Sequence, residues 1–462
     1  MLKELQAVQL NNRSGNRADF DAEASKSAAN REEQKMAFKM KKWPLAAGVL
    51  SATLLFSTAC SNESASGNKK SGGDQVVVDV FQGKVEIADQ LKALTDQYTK
   101  EHPNVKFNIQ TVGGGADGAA ALKAQFASGN APDLFTNGGY QEAKTWKNKL
   151  EDLSDQPWID DAYENTLTPM TMDGKVYGQP ISLEGYGFTY NKKLFKKAGI
   201  KELPKTYSEL EAAAKKLKAA GITPFSIGYG EWWVLGNHGL NIPFASQKDP
   251  DAFIKGLNDG STKIAGNEQF KQYVKLLDLT VKYGNKNPLT TDYNTQVTKF
   301  ANGEAAMIQQ GNWIQPMLDK ITPNMDVGIL PMPLSDDAAV SDKLAIDVPS
   351  NWVVHKQAPA ADKKAAKDFL NWMVTSKEGQ KALVEDFKYI PAFKSIEAKD
   401  IGPLGEELLK YSKDQKTIPW EWTKFPEGVT QKFGADVQEY IGGQTSEDEL
   451  LKSLDKRWAE LK

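Results

Sequence analysis

From Val76 onward the chain alternates between two hydrophobic periods, and that alternation restricts its architecture more than any other feature. Val76-Val77-Val78-Asp79-Val80-Phe81 is a β-branched run of the kind that builds strands. Ile87, Ala88, Leu91, Leu94 and Tyr98 then recur at helical spacing and stop before His102-Pro103. Val105 to Ile109 alternates as a second strand, glycines 113–115 break it, and Ala119–Ala127 reads as a helix. Asp133-Leu134-Phe135 is a short third strand. Strand, helix, strand, helix, strand in close succession predicts parallel α/β construction, because a parallel partner is reached only through a crossover. Further on, Thr206-Tyr207-Ser208-Glu209 is a capping box opening a helix through Lys218, stopped by Gly221. Val327–Pro331 and Asn351–His355 read as strands. Residues 361–375 and 447–461 read as amphipathic helices, the last with Leu450, Leu451, Leu454, Trp458 and Leu461 on one stripe. At 462 residues the chain is too long for one ordinary domain. No linker announces a boundary and no repeat of fixed period occurs, so the chain is expected to cross between domains more than once through ordered segments.

The N-terminal region reads differently. Residues 1–35 are polar and are left out of the fold, with translation expected to start at Met36 or Met40; a disordered N-terminal extension is the alternative. Met40-Lys41-Lys42-Trp43 supplies a positive end, and Pro44 to Ala59 is an uncharged, mostly apolar run with the shape of a signal-peptide core. Cys60 follows the small residues Ser57, Thr58 and Ala59. The arrangement resembles a bacterial lipobox, with Ser57 where that motif usually has leucine; cleavage would leave Cys60 as a lipidated N-terminus. Two or more acyl chains are needed for a stable anchor. The polar, Gly/Ser-containing stretch through residue 75 has the composition of a flexible tether.

Several functions lack the residues they need. A formal charge of −3 gives no basic footprint for nucleic acid. One cysteine and three histidines leave little for a disulfide framework or a metal cluster. His102 and His355 have no partner at ligand spacing, and His238 stands alone. Gly113–Gly118 lacks both the Gly-Lys-Ser/Thr of a phosphate loop and the GxGxxG spacing, and reads as a flexible rim loop. No GxSxG elbow occurs. A glycosidase needs only two carboxylates about 5–9.5 Å apart, so a secreted sugar-active enzyme stays open as an alternative. No catalytic residue, metal or cofactor is nominated.

The eleven tryptophans are the unusual component. Trp372 and Trp458 lie on helical stripes and read as core. Trp232, Trp233, Trp313, Trp420 and Trp422 instead lie beside Gly, Pro, Asn or charged residues, and GYGEWWVLGN (228–237) reads as a loop. An indole face stacks on the C–H surface of a pyranose with only two torsions to freeze. Carboxylates and amides serve the hydroxyls, since a buried unpaired hydroxyl costs about 1–3 kcal/mol.

With those residues in hand, the chain from Val76 to Lys462 resembles the bacterial extracellular solute-binding proteins of the carbohydrate class, the family of maltose-binding protein. The resemblance rests on Ala131-Pro-Asp-Leu-Phe, Gly174-Lys-Val-Tyr-Gly-Gln-Pro-Ile, and the run from Glu184 to Gly199. Phe300-Ala-Asn-Gly-Glu-Ala-Ala-Met307 with Gly311-Asn-Trp313 completes the set. The family implies an α/β fold of the two-lobe periplasmic-binding-protein type, with crossover hinge strands and an interlobe ligand cleft. Lobe one would comprise 76–183 and 331–390, and lobe two 184–330 and 391–462. By the same resemblance Glu184 would bind sugar, with Tyr186 in the same string. Glu231, Trp232 and Trp233 would form a glutamate–aromatic segment; Trp313 and Trp420 or Trp422 would supply further aromatic walls. Lobe one would contribute Gln82 and Lys84 after the first strand, and Asn137 to Tyr140 after the third. Asp347 and Asn351 lie near a later strand end. Ligands of open α/β sheets sit beyond the carboxyl ends of strands, which independently favours these positions. The implied role is capture of an oligosaccharide for the permease of an ABC importer, by a monomer held on the extracytoplasmic membrane face through Cys60. A solute-binding protein for an organic anion or peptide is the other alternative; such a protein would concentrate Arg or Lys where the tryptophans stand.

Overall fold

The computed structural model describes residues 75–462, and its first strand, β1 (Val76–Gln82), turns Val78 and Val80 into the core. Helix α1 (Ala88–Glu101) buries Leu91, Leu94, Thr95 and Tyr98 against the sheet, the face its spacing predicts. After β2 (Val105–Thr111), Asp117 caps helix α2 (Gly118–Ser128) by accepting from Ala120 N at 2.9 Å, and left-handed Gly129 ends it. Strand β3 (Leu134–Asn137) and helix α3 (Tyr140–Trp146) follow, then the two-residue strand β4 (Gln179–Pro180). β1, β2 and β3 are mutually parallel, as the alternation requires.

The chain then leaves this sheet. β5 (Glu184–Asn191) is buried along its whole length and forms the spine of a second sheet. Helix α4 (Tyr207–Ala219) begins with the expected capping box, Thr206 and Glu209 each serving the other's backbone N–H. Next come β6 (Thr223–Ser226), helix α5 (Tyr293–Ala301), β7 (Ala305–Gly311), β8 (Val327–Leu330) and β9 (Leu344–Asp347). One edge of β5 pairs with β7 and the other with β8 and β9, all antiparallel. Strand β10 (Asn351–Val354) returns to the first sheet between β3 and β4, antiparallel to both, giving the order β2-β1-β3-β10-β4. Both sheets are therefore mixed, because strands arriving through a crossover from the other lobe run opposite to those built by local helical returns.

Helix α6 (Ala360–Thr375) covers the first sheet, whereas α7 (Gly402–Lys413) packs on the second, which β11 (Thr417–Ile418) extends beside β9. Helices α8 (Val429–Ile441) and α9 (Glu447–Leu461) close lobe two; α9 buries Leu450, Leu451, Leu454 and Trp458. Trp372, expected in the core, is half-buried and donates to Glu101 at 2.9 Å.

Two boundaries differ from expectation. β9 pairs with β5, so lobe two extends through Asp347, not 330, and the chain returns to lobe one at 348–350. Phe393 bridges to Ala162, and Ser395 bonds Asp161, so 391–396 stay with lobe one. In each case long-range pairing decides which lobe a segment joins, and no local signal marks it. The segments expected as an N-terminal extension (1–35), a signal peptide (36–59) and a tether beginning at Cys60 (60–75, all but Gln75) lie outside the described residues. Among the described residues no helix is long and apolar enough to cross a membrane.

The tryptophan segment expected as a loop is helical. Trp232 and Trp233 start a turn that widens into a π-helix over Val234–Gly239 and continues to Ala245. Tertiary packing overrides the glycine signal. A Cβ at Gly236 would stand 1.9 Å from Thr430 O, and one at Gly434 2.5 Å from Trp232 O, so paired glycines let α8 close on this segment. Gly236→Ala is expected to destabilise the protein by about 1–3 kcal/mol through overpacking. Denaturant melts would read this as a lowered midpoint; an unchanged midpoint would refute the tight α8 contact.

Candidate functional site

Glu184, the first residue of β5, and Asp347, the last of β9, sit opposite each other in the antiparallel register. Both therefore stand where the chain passes between lobes. Glu184 is 2% exposed, and its Oε1 accepts from Lys84 Nζ at 2.6 Å, Lys84 coming from the turn after β1 in lobe one. Glu86 lies 3.6 Å from the same ammonium. Burial would lower the Lys84 pKa, but the Glu184 and Glu86 carboxylates outweigh it and hold it above the ordinary value. Burial raises Glu86, partly countered by Lys84.

Around this ion pair lies a chamber of about 310 Å³ lined by residues of both lobes. Lobe two supplies Trp232, Trp233, Asn237, His238, Tyr293, Trp313, Trp420 and Trp422; lobe one supplies Lys84, Val85, Glu86 and Gly113–Ala116. His238 is the centre of the aromatic wall. Its ring stacks on Tyr186 at 4.4 Å and 19°, meets Trp233 edge-on at 5.1 Å, and tilts against Trp313 at 5.0 Å. Trp420 and Trp422 stack on one another at 4.4 Å. Burial, aided by Lys84, pushes the His238 pKa down from 6.5 to about 3, so the imidazole is neutral at physiological pH.

Buried polar groups hold the Trp313 and Trp233 rings and the backbone around Trp420. Trp313 Nε1 donates to Gln310 Oε1 at 2.9 Å, Gln310 Nε2 to Gln296 Oε1 at 2.8 Å, and Gln296 Nε2 to Ser226 O at 2.9 Å. Trp420 N donates to Asp347 Oδ2 at 3.1 Å, while Asn241 clamps both neighbours, donating to Pro419 O and accepting from Glu421 N. Glu231 accepts from Trp233 Nε1 at 3.2 Å and from Tyr293 N at 2.9 Å. Gly115, at φ 95°, passes so close that a Cβ would stand 2.6 Å from Glu231 Oε2. Four polar atoms of lining residues have no hydrogen-bond partner among the described residues: Asn237 Oδ1, His238 Nδ1, Tyr293 Oη and Trp420 Nε1. Buried polar groups in native interiors are nearly always paired, so these four are available to hydrogen-bond whatever enters the chamber.

A second chamber of about 440 Å³ adjoins the first, sharing Gly83, Trp232, Asn237, Pro349 and Trp422 as a common wall. Asn137, Trp146, Asp117 and Glu142 line its lobe-one side, and Phe425 to Gly428 its lobe-two side. Across its mouth Glu427 accepts from Lys123 and from Thr145 Oγ1. Both volumes fall within the roughly 300–1,000 Å³ range of small-molecule sites.

Residues 84–381 match the sequence profile of the family described as Bacterial extracellular solute-binding protein. The chain belongs to this family. A multiple sugar-binding protein of Streptococcus mutans is 24% identical over 384 residues, covering 81% of this chain and 87% of that one. A maltooligosaccharide ABC transporter solute-binding lipoprotein of Streptococcus pneumoniae is 28% identical, covering 77% and 82%. Among solved structures, a chitin oligosaccharide binding protein superposes with a TM-score of 0.73 at 26% identity, over 84% of this chain and 99% of that one. These relatives are binding proteins, not enzymes, and the two-lobe fold is theirs.

Of the residues nominated from sequence, this solute-binding protein gathers Lys84, Glu184, Trp232, Trp233, Trp313, Trp420 and Trp422 around the first chamber. Asn137 lines the second. The others line neither. Gln82 is fully buried and holds the turn to Lys84 from beneath. Tyr186 backs His238, Glu231 braces Trp233, and Asp347 anchors Trp420. Asn351 is buried in β10 and donates to Asn137 O. Tyr140 starts α3 with φ 46°, outside both chambers. Sequence reasoning missed Glu86, Asn237, His238 and Tyr293. His238 was visible beside the tryptophans, but only the π-helix turns it into their midst. The glycine segment 113–116, read as a rim loop, forms a wall facing Glu231.

Because His238 is neutral when folded yet titrates near 6.5 when unfolded, the unfolded chain binds the extra proton, and stability falls as pH drops below that value. Relative to His238→Gln, the native chain should lose about 2 kcal/mol between roughly pH 7.5 and pH 5. Paired denaturation curves at the two pH values measure this; parallel pH dependence in the two proteins would contradict it.

Proposed function

We propose that this solute-binding protein captures an oligosaccharide in the two-chamber cleft and delivers it to the permease of an ABC importer, from a lipid anchor at Cys60. The observation that carries the reading is the wall of five indoles with Lys84, Glu86, Glu184 and the unpartnered polar atoms of His238 and Tyr293, converging from two lobes. Flat apolar plates edged by donors and acceptors match the alternating C–H faces and hydroxyls of pyranose rings. The second chamber continues past Trp232 and Trp422, giving room for more than one ring. Support also comes from the relatives, whose names specify sugars, maltooligosaccharides and chitin oligosaccharides. The lipid anchor rests on the Cys60 context, and one such relative is named as a lipoprotein.

No chemistry is needed for this role. Contacts from both lobes make the closed arrangement bind better than an open one, and that difference shifts the population toward closure. Micromolar affinity corresponds to about −8.2 kcal/mol, within reach of a few stacked rings and partly offset hydrogen bonds. The permease would then read the closed form.

Isothermal calorimetry with an oligosaccharide panel, run alongside intrinsic tryptophan fluorescence, tests the reading. At least one neutral oligosaccharide is expected to bind, change the emission, and emerge chemically intact. Trp422→Ala, which removes one of the two indoles shared by both chambers, should weaken that binding about tenfold or more. Heat-silent titrations across the panel would count against the proposal.

A further inference from the structure

Charge in the cleft is strongly one-sided, and this bears on which saccharides it accepts; the inference rests on the saccharide reading above. Carboxylates line both chambers: Glu86 and Glu184 the first, Asp117, Glu142 and Glu427 the second. Lys84 and Lys123 are the lining cations among the described residues, and both are already committed. Lys84 is bound by Glu184 at 2.6 Å and lies 3.6 Å from Glu86, while Lys123 donates to Glu427. Guanidinium, the group best matched to a carboxylate, is missing from the cleft. Arg457 is the one arginine between residues 75 and 462, and it pairs with Asp436 at 3.0 Å outside both chambers. The neutral His238 adds no charge.

We infer that Lys84, Glu86 and Glu184 act as a charge filter that accepts neutral or amine-bearing saccharides and rejects uronate-bearing or otherwise anionic ones. A pyranose diol suits the triad, with the ammonium donating to one hydroxyl and the carboxylates accepting from others. The unpartnered His238 Nδ1 and Tyr293 Oη, on residues 6% and 3% exposed, stand ready in the same chamber. A sugar carboxylate would be desolvated beside Glu86 and Glu184 with no free cation to meet it, and like charges at close range oppose binding. A protonated amino sugar would meet the same carboxylates favourably. Glu86 is the residue that sets the sign. With Glu184 alone the Lys84 pair would be balanced; Glu86, 3.6 Å from the same ammonium, adds a second carboxyl group with no cation of its own.

Calorimetry on the mature chain with maltotriose, raffinose and triacetylchitotriose, each beside its counterpart oxidised to the carboxylate at the primary hydroxyls, tests this. The best-bound neutral sugar is expected to exceed its oxidised counterpart by about a hundredfold or more. In Glu86→Gln that ratio should shrink by about tenfold, with Glu184→Gln as the second variant should the first misfold by circular dichroism. Equal affinity for neutral and oxidised forms would overturn the filter, as would a ratio unchanged in both variants. Failure of every neutral sugar to bind would overturn the saccharide reading itself.

Discussion

The cleft depends on one stretch of register, where Glu184 at the start of β5 pairs antiparallel with Asp347 at the end of β9. This puts two of the lobe crossings side by side, with Glu184 lining the chamber and Asp347 holding its wall from behind. Glu184 reaches across to Lys84 of lobe one, while Asp347 turns back to hold the backbone of Trp420. A slip of one residue in β5 would send Glu184 to the opposite sheet face, so the register that builds the sheet also places the carboxylate.

The aromatic wall shows how the protein keeps a large apolar surface beside water without collapsing onto it. Two indoles are pinned through their ring N–H, Trp313 by Gln310 and Trp233 by Glu231, while Asp347 and Asn241 hold the backbone on either side of the Trp420 ring. The two ring bonds fix indole orientation before any ligand arrives, which cuts the entropy lost on binding. The unpartnered atoms of Asn237, His238, Tyr293 and Trp420 belong to residues that line the same chamber and offer it further hydrogen-bonding groups.

Much of this was legible before any coordinates. The β1-α1-β2-α2-β3 succession, the capping box at Thr206 and the stripe of α9 follow from local periodicity, because a 3.6- or two-residue repeat is imposed by the element's own geometry. The misplaced tryptophans were visible for the complementary reason: an indole flanked by glycine, asparagine or charge fits neither periodicity. Their convergence was expected from resemblance, not from spacing.

The sequence by itself therefore determined the class of elements, the family and the chemical character of a site rich in indole and carboxylate. Tertiary structure alone decided which lobe 344–347 and 391–396 join, that Trp232 and Trp233 open a π-helix, and that His238 stands among the rings. It also separated Lys84 and Glu184, which line the chamber, from Gln82, Glu231 and Asp347, which hold its walls from behind. The physical reason is the range of the forces. Propensity and periodicity act over a few residues and are written locally. Strand register, the Gly236–Thr430 approach and the Lys84–Glu184 pair join positions tens to hundreds of residues apart, and exist only once the chain has closed on itself.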